Sequence, residues 1–88
     1  MRPLNYAILK YMTTVDKASA KEVVDALKPE YGSFRMLNML TVQEALMTAE
    51  QNTLLEEAGY NLNEQGDDVD IFFKITSYGE MMIDKYVK

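Results

Sequence analysis

Eight carboxylates (Glu44, Glu50, Glu56, Glu57, Glu64, Asp67, Asp68 and Asp70) fall between Met36 and Phe73, and no lysine or arginine interrupts them. Carboxylates at this density offer three chemistries: a paired acid and base, a site for a hard cation, or an anionic surface that attracts a basic partner. Asp67, Asp68 and Asp70 are close enough in sequence to pair, but no histidine, lysine or glycine-rich phosphate loop accompanies them. The segment Asn61-x-Asn63-x-Gln65-Gly66-Asp67 puts glycine at the sixth place of a calcium loop. Its first place lacks an aspartate, and its twelfth is Phe72 where a bidentate glutamate is needed, so a plain hairpin turn accounts for it better. Cysteine and histidine are absent altogether. Disulfides, thiol catalysis, thiolate metal sites, histidine triads and the usual zinc ligand sets are thereby excluded. A non-enzymatic protein that needs no cofactor and no metal is the expectation.

What remains is the anionic surface, and its acidity is regional. The formal charge is +2 over residues 1–35, −8 over 36–73 and +1 over 74–88, for a net −5. Eighty-eight residues suit one domain, in which about 60–65% of the unfolded surface is buried. With 48% apolar and 26% charged residues the composition is that of a folded globular chain. No run approaches the roughly 20 apolar residues of a membrane span, and no basic-then-apolar leader opens the chain. A soluble, cytoplasmic protein that does not enter the membrane is expected.

The elements that position these charges follow from periodicity and caps. A helix is expected from Pro3 to Thr14, with Leu4, Ile8, Tyr11, Met12 and Val15 on one face. Ser19-Ala20-Lys21-Glu22 has capping-box spacing and opens a second helix, burying Val23, Val24 and Leu27 and stopping at Lys28 before Pro29. Residues 30–40 read as a loop with at most one helical turn. A second box, Thr41-Val42-Gln43-Glu44, opens a third helix with Val42, Ala45, Leu46 and Ala49 inward. Its end falls at Asn52 or at Ala58. Asn52 is favoured, because a longer helix would set Glu56 and Glu57 against the negative end of the helix dipole. A hairpin follows: one strand includes Tyr60 and Leu62, the turn is Glu64-Gln65-Gly66-Asp67, and a second strand alternates from Val69 to Ile75. Tyr60 and Phe72 are placed on its outer face. Ser77-Tyr78-Gly79-Glu80 opens a last helix bearing Met81, Met82, Ile83, Tyr86 and Val87.

This order resembles the winged helix-turn-helix superfamily, in particular its small PadR-like and MarR-like domains. The resemblance spans nearly the whole chain and is carried by Leu40-Thr41 with Glu44-Ala45-Leu46, by Leu54-Leu55-Glu56-Glu57, and by Ile75-Thr76 with Gly79. It implies an α+β, mainly α fold: a single domain over residues 1–88 with a three-helix core, a two-stranded β-hairpin wing and a C-terminal helix. It also implies that Gln43, Met47, Thr48 and Gln51 face a DNA groove, although the solvated face of an amphipathic helix is the plainer reading of the same residues, because exposed polar faces are the rule.

The charge departs from that pattern, because phosphate contacts supply most non-specific DNA affinity and this wing offers only acids. Two function classes follow. In the first, a winged-helix regulatory module recognises a basic protein surface through Glu56, Glu57, Glu64, Asp67, Asp68 and Asp70. In the second, a DNA-binding transcriptional regulator reads its site with Gln43, Thr48 and Gln51 and meets phosphates with Lys17, Lys21, Lys28 and Arg35. Met81, Met82, Ile83 and Tyr86 leave two arrangements open, since so apolar a helix is hard to cover within a small domain: they pair the first and last helices across a homodimer, or Met81 or Met82 caps the hairpin inside the monomer.

Overall fold

The computed structural model describes residues 3–32, 34–62 and 69–86. Among these the chain is α+β, with four helices and one three-stranded antiparallel sheet. The first helix, α1 (Leu4–Met12), is preceded by Pro3 in an extended conformation, so Pro3 caps the helix rather than joining it. Its end is closed by two hydroxyls, Thr13 Oγ1 and Thr14 Oγ1, which donate to the carbonyls of Lys10 and Tyr11 at 2.6 Å each. Those side chains supply donors that a further helical turn would otherwise provide, and the helix stops two residues short of Thr14.

A strand absent from the sequence expectation comes next, β1 (Ala18–Ser19). It pairs antiparallel with the last strand, Ala18 opposite Phe73 and Ser19 opposite Phe72, so the sheet has three strands where a two-stranded wing was expected. Two residues are too few to display alternation, and only the tertiary contact makes them a strand. Ser19 then serves twice, because it also opens α2 (Ala20–Tyr31) through the expected capping box, its backbone N–H donating to Glu22 Oε1 at 3.1 Å.

The expected stop at Lys28 is overturned, since α2 runs through Pro29 to Tyr31. Proline in the last turn removes one hydrogen bond, to the carbonyl of exposed Asp25, which water can satisfy. Against that loss, the extra turn carries Tyr31 into the core at 2% exposure, and burying a large side chain contributes about 2 kcal/mol. Beyond it, residues 34–38 form successive turns rather than a helical turn.

The third helix, α3 (Met39–Gln51), begins two residues before the expected box at Thr41. Asn38 takes the cap: its Oδ1 accepts from Thr41 N–H at 2.9 Å and its Nδ2 donates to the Arg35 carbonyl at 3.2 Å. The helix ends at Asn52 as favoured, but the left-handed residue is Thr53, at φ 62°. Thr53 N–H donates to Glu50 O at 3.0 Å and Leu54 N–H to Ala49 O at 2.9 Å, the paired bonds of a Schellman motif built on a β-branched residue.

The hairpin strands are β2 (Leu55–Leu62) and β3 (Val69–Ile75), and β3 is central in the order β1-β3-β2. The expected hairpin turn lies outside the described residues. A bulge at Ala58, between Glu57 and Gly59, shifts the register. Gly59 takes φ 119°, open to glycine and strained for other residues. One consequence is a correction: Tyr60 pairs with Ile71, whereas Phe72 pairs with Gly59, so Tyr60 and Phe72 lie on opposite faces of the hairpin.

The last helix, α4 (Ser77–Tyr86), is capped by Thr76 and not by the Ser77 box. Thr76 Oγ1 accepts from Gly79 N–H at 2.9 Å and donates to the carbonyl of Thr53 at 2.7 Å, which ties the α4 corner to the end of α3. The core lies between the three N-terminal helices and β3, with Ile8, Met12, Val23, Val42, Leu46, Leu55 and Phe73 fully buried at its centre. No helix among the described residues is long and apolar enough to cross a membrane.

Candidate interaction surface

Helix α3 presents its inner stripe, Val42, Leu46 and Ala49, to the core, with Ala45 half-buried beside it. At 3.6 residues per turn the line directly opposite passes through Leu40, Glu44, Met47 and Gln51, all exposed. Leu40 is 69% exposed and Met47 44%. Met39 lies to one side of that line, and exposed Met36 and Phe34 continue the apolar surface into the turns before the helix. Large apolar groups on the face pointing away from the core are the feature that the sequence reading missed, Met47 apart. The signal was available: Leu40 and Met47 are seven residues apart, two helical turns, and fall out of phase with the buried set.

The acidic residues of the hairpin separate onto two faces. Glu56 pairs across the sheet with Lys74 and Asp70 with Asn61, on the face that also carries Phe72. The Glu56 carboxylate and Lys74 ammonium form an exposed ion pair at 3.4 Å. Glu57 stands opposite Phe73 on the other face, at the solvent-exposed margin of β2. Glu64, Asp67 and Asp68 lie outside the described residues. On α3, Glu44 is exposed and Glu50 half-exposed, so the anionic surface among the described residues is shared between the helix and the hairpin.

The residues expected to meet DNA are dispersed. Gln43 and Thr48 flank the outward line of α3 on opposite sides, and only Gln51 lies on it. Lys17 sits with its ammonium 5.2 Å from the centre of the Phe72 ring, a cation–π arrangement on the sheet. Lys28 pairs with Asp25 at 3.4 Å within α2. Lys21 and Arg35 are exposed, on α2 and in the turns before α3. The last helix divides likewise: Met81 is 57% exposed and Met82 half-buried, but Ile83, expected at a dimer interface, is 2% exposed and already packed inside the chain. Of Tyr86 only the backbone, as the last residue of α4, is described.

Between α1 and the end of α3 is a half-open cleft of about 200 Å³, lined by Asn5, Ile8, Leu9, Ala45, Thr48, Ala49, Asn52 and Leu54. It is smaller than the roughly 300–1,000 Å³ of small-molecule sites, and its lining offers amides, a hydroxyl and apolar groups but no titratable side chain. Among the described residues no group of three or more carboxylates is arranged to hold a metal ion. No protein-family model matches the chain, and no curated protein matches it either.

Proposed function

We propose that this domain is a winged helix that serves as a non-enzymatic regulatory module and recognises a basic protein partner through α3 and the hairpin. Support for the winged-helix arrangement comes from the element order α1-β1-α2-α3-β2-β3-α4 together with the strand order β1-β3-β2. Under this reading α3 occupies the position of a recognition helix and β2–β3 that of the wing. The observation that carries the functional proposal is the outward line of α3, which presents Leu40, Glu44, Met47 and Gln51 within a segment that has no basic residue from Met36 to Phe73. A duplex would meet apolar and anionic groups where it requires cations.

The second reading, a DNA-binding transcriptional regulator, draws on exposed Lys21 and Arg35. It is the weaker one, because the other two cations it calls on, Lys17 and Lys28, are already directed at Phe72 and Asp25. An acidic surface steers a basic partner and fixes its register more than it adds affinity. The test is the affinity of polylysine for the wild-type chain and for the double variant Glu44→Lys, Glu57→Lys. Loss of about tenfold or more is expected on charge reversal. Equal affinity for both would contradict an acidic recognition surface on α3 and β2.

A further inference from the structure

We infer that the outward line of α3 is a docking seam for one amphipathic α-helix of a partner protein, with apolar residues at heptad spacing and a lysine or arginine where it meets Glu44. This inference rests on the reading above and gives the partner its chemistry. Leu40, Glu44, Met47 and Gln51 follow one another at intervals of four, three and four residues. That is the alternation of d and a positions along a coiled-coil stripe, and it is the pattern by which a second helix packs along a first. The stripe is fully formed on a capped helix held by the core, so the partner would meet a rigid surface. Its anchors are Leu40 at the amino-terminal end and Met47 about two turns on. Methionine is suited to such a role because its unbranched, polarizable side chain adapts to the shape it receives.

Charge decides the occupant. Glu44 lies in the middle of the seam, between the two apolar anchors, and Glu50 flanks its carboxyl-terminal end. A parallel second copy on the same stripe would set glutamate against glutamate, and an antiparallel copy would bury each Glu44 against an apolar anchor with no cation, both of which are destabilising in a partly desolvated interface. A helix carrying a basic residue opposite Glu44 converts that position from a penalty into the element that sets register, as a single polar position does in coiled coils. A basic amphipathic helix is therefore favoured over self-association, and over an uncharged apolar helix.

The test uses the full chain, isotope-labelled for amide NMR, and a synthetic helical peptide with leucine at its a and d positions except for one central lysine, and lysine at e and g. A twin peptide carries glutamate in place of every lysine. Titration with the lysine peptide is expected to shift the amides of residues 39–51 and to leave those of β3 unmoved. Leu40→Ser, at a site too exposed to support the core, should weaken binding about tenfold or more, as loss of an interface anchor does. Glu44→Lys should invert the preference toward the glutamate twin. Shifts confined to the hairpin, unaffected by Leu40→Ser, would overturn the seam while leaving the acidic-surface reading intact. Loss of polylysine binding together with peptide binding in the wild type would remove both. Equal affinity for the two peptides would overturn the basic partner, and a wild-type dimer that Leu40→Ser dissociates would assign the seam to a second copy.

Discussion

Replacing Gly79 by alanine should unfold the corner at which α4 meets the end of α3, although alanine is the better helix former. A β-carbon at position 79 would stand 2.9 Å from Ile75 Cγ1 and 3.0 Å from the carbonyl carbon of Leu54, and closer still to the Leu54 oxygen. That carbonyl cannot swing aside, because it accepts from Thr76 N–H and from Thr76 Oγ1, both at 3.1 Å. Helix α4 must therefore move outward, and in moving it strains the cap that Gly79 N–H makes with Thr76 Oγ1 at 2.9 Å. Alanine in place of glycine gains at most about 1 kcal/mol of helix propensity. Overpacking against backbone costs about 1–3 kcal/mol and a lost cap about 1 kcal/mol more. The net loss is about 2 kcal/mol, which in a domain of this size lowers Tm by about 8–16 °C. Thermal unfolding followed by circular dichroism, with the urea midpoint as a second reading, measures it. A Tm equal to wild type or higher would show that α4 slides without resistance and that the Leu54 carbonyl does not fix the corner.

Three smaller changes probe the same corner and the hairpin. Thr53→Gly should stabilise by about 0.5–1 kcal/mol, read as a higher urea midpoint, because a β-branched residue at φ 62° is strained in the left-handed region and glycine is not. Thr76→Val keeps the shape but removes both the acceptor for Gly79 N–H and the donor to Thr53 O, and should cost about 1–2 kcal/mol by the same assay. Glu56→Gln should change stability by no more than about 0.5 kcal/mol, because its ion pair with Lys74 is exposed on both sides; a larger loss would show that the pair holds the hairpin together.

Where local chemistry decides a boundary, the sequence expressed it. The Ser19–Glu22 box, the end of α3 at Asn52 and the whole of β3 were all legible from residue types and spacing. Even the bulge had a trace: Leu55 and the alternating Val69, Ile71, Phe73 and Ile75 of β3 sit at odd numbers, whereas Tyr60 and Leu62 sit at even ones, and only an inserted residue brings them to one face. Where neighbouring residues compete for one role, tertiary contacts made the choice. Thr76 rather than Ser77 caps α4 because only Thr76 is aligned with the Thr53 carbonyl, and α2 passes Pro29 because the core receives Tyr31. Strand β1 has no local signal at all. The acidity of the candidate surface was plain from composition. Its apolar half showed only as Leu40 and Met47 falling out of phase with the inward Val42, Leu46 and Ala49, and two residues are too few to mark a second stripe by spacing alone.

If α3 and the hairpin face a basic protein and not nucleic acid, the domain offers duplex DNA no phosphate-binding surface. The most direct measurement is fluorescence anisotropy of a labelled random-sequence DNA duplex titrated with the protein at low salt and again at rising salt, since low salt is where phosphate contacts are strongest. A protein-facing surface gives no saturable binding at any salt concentration. Saturable binding at low salt that weakens steeply as salt rises would contradict it, and would show that Lys21, Arg35 and the other cations of the first 35 residues form a working phosphate surface.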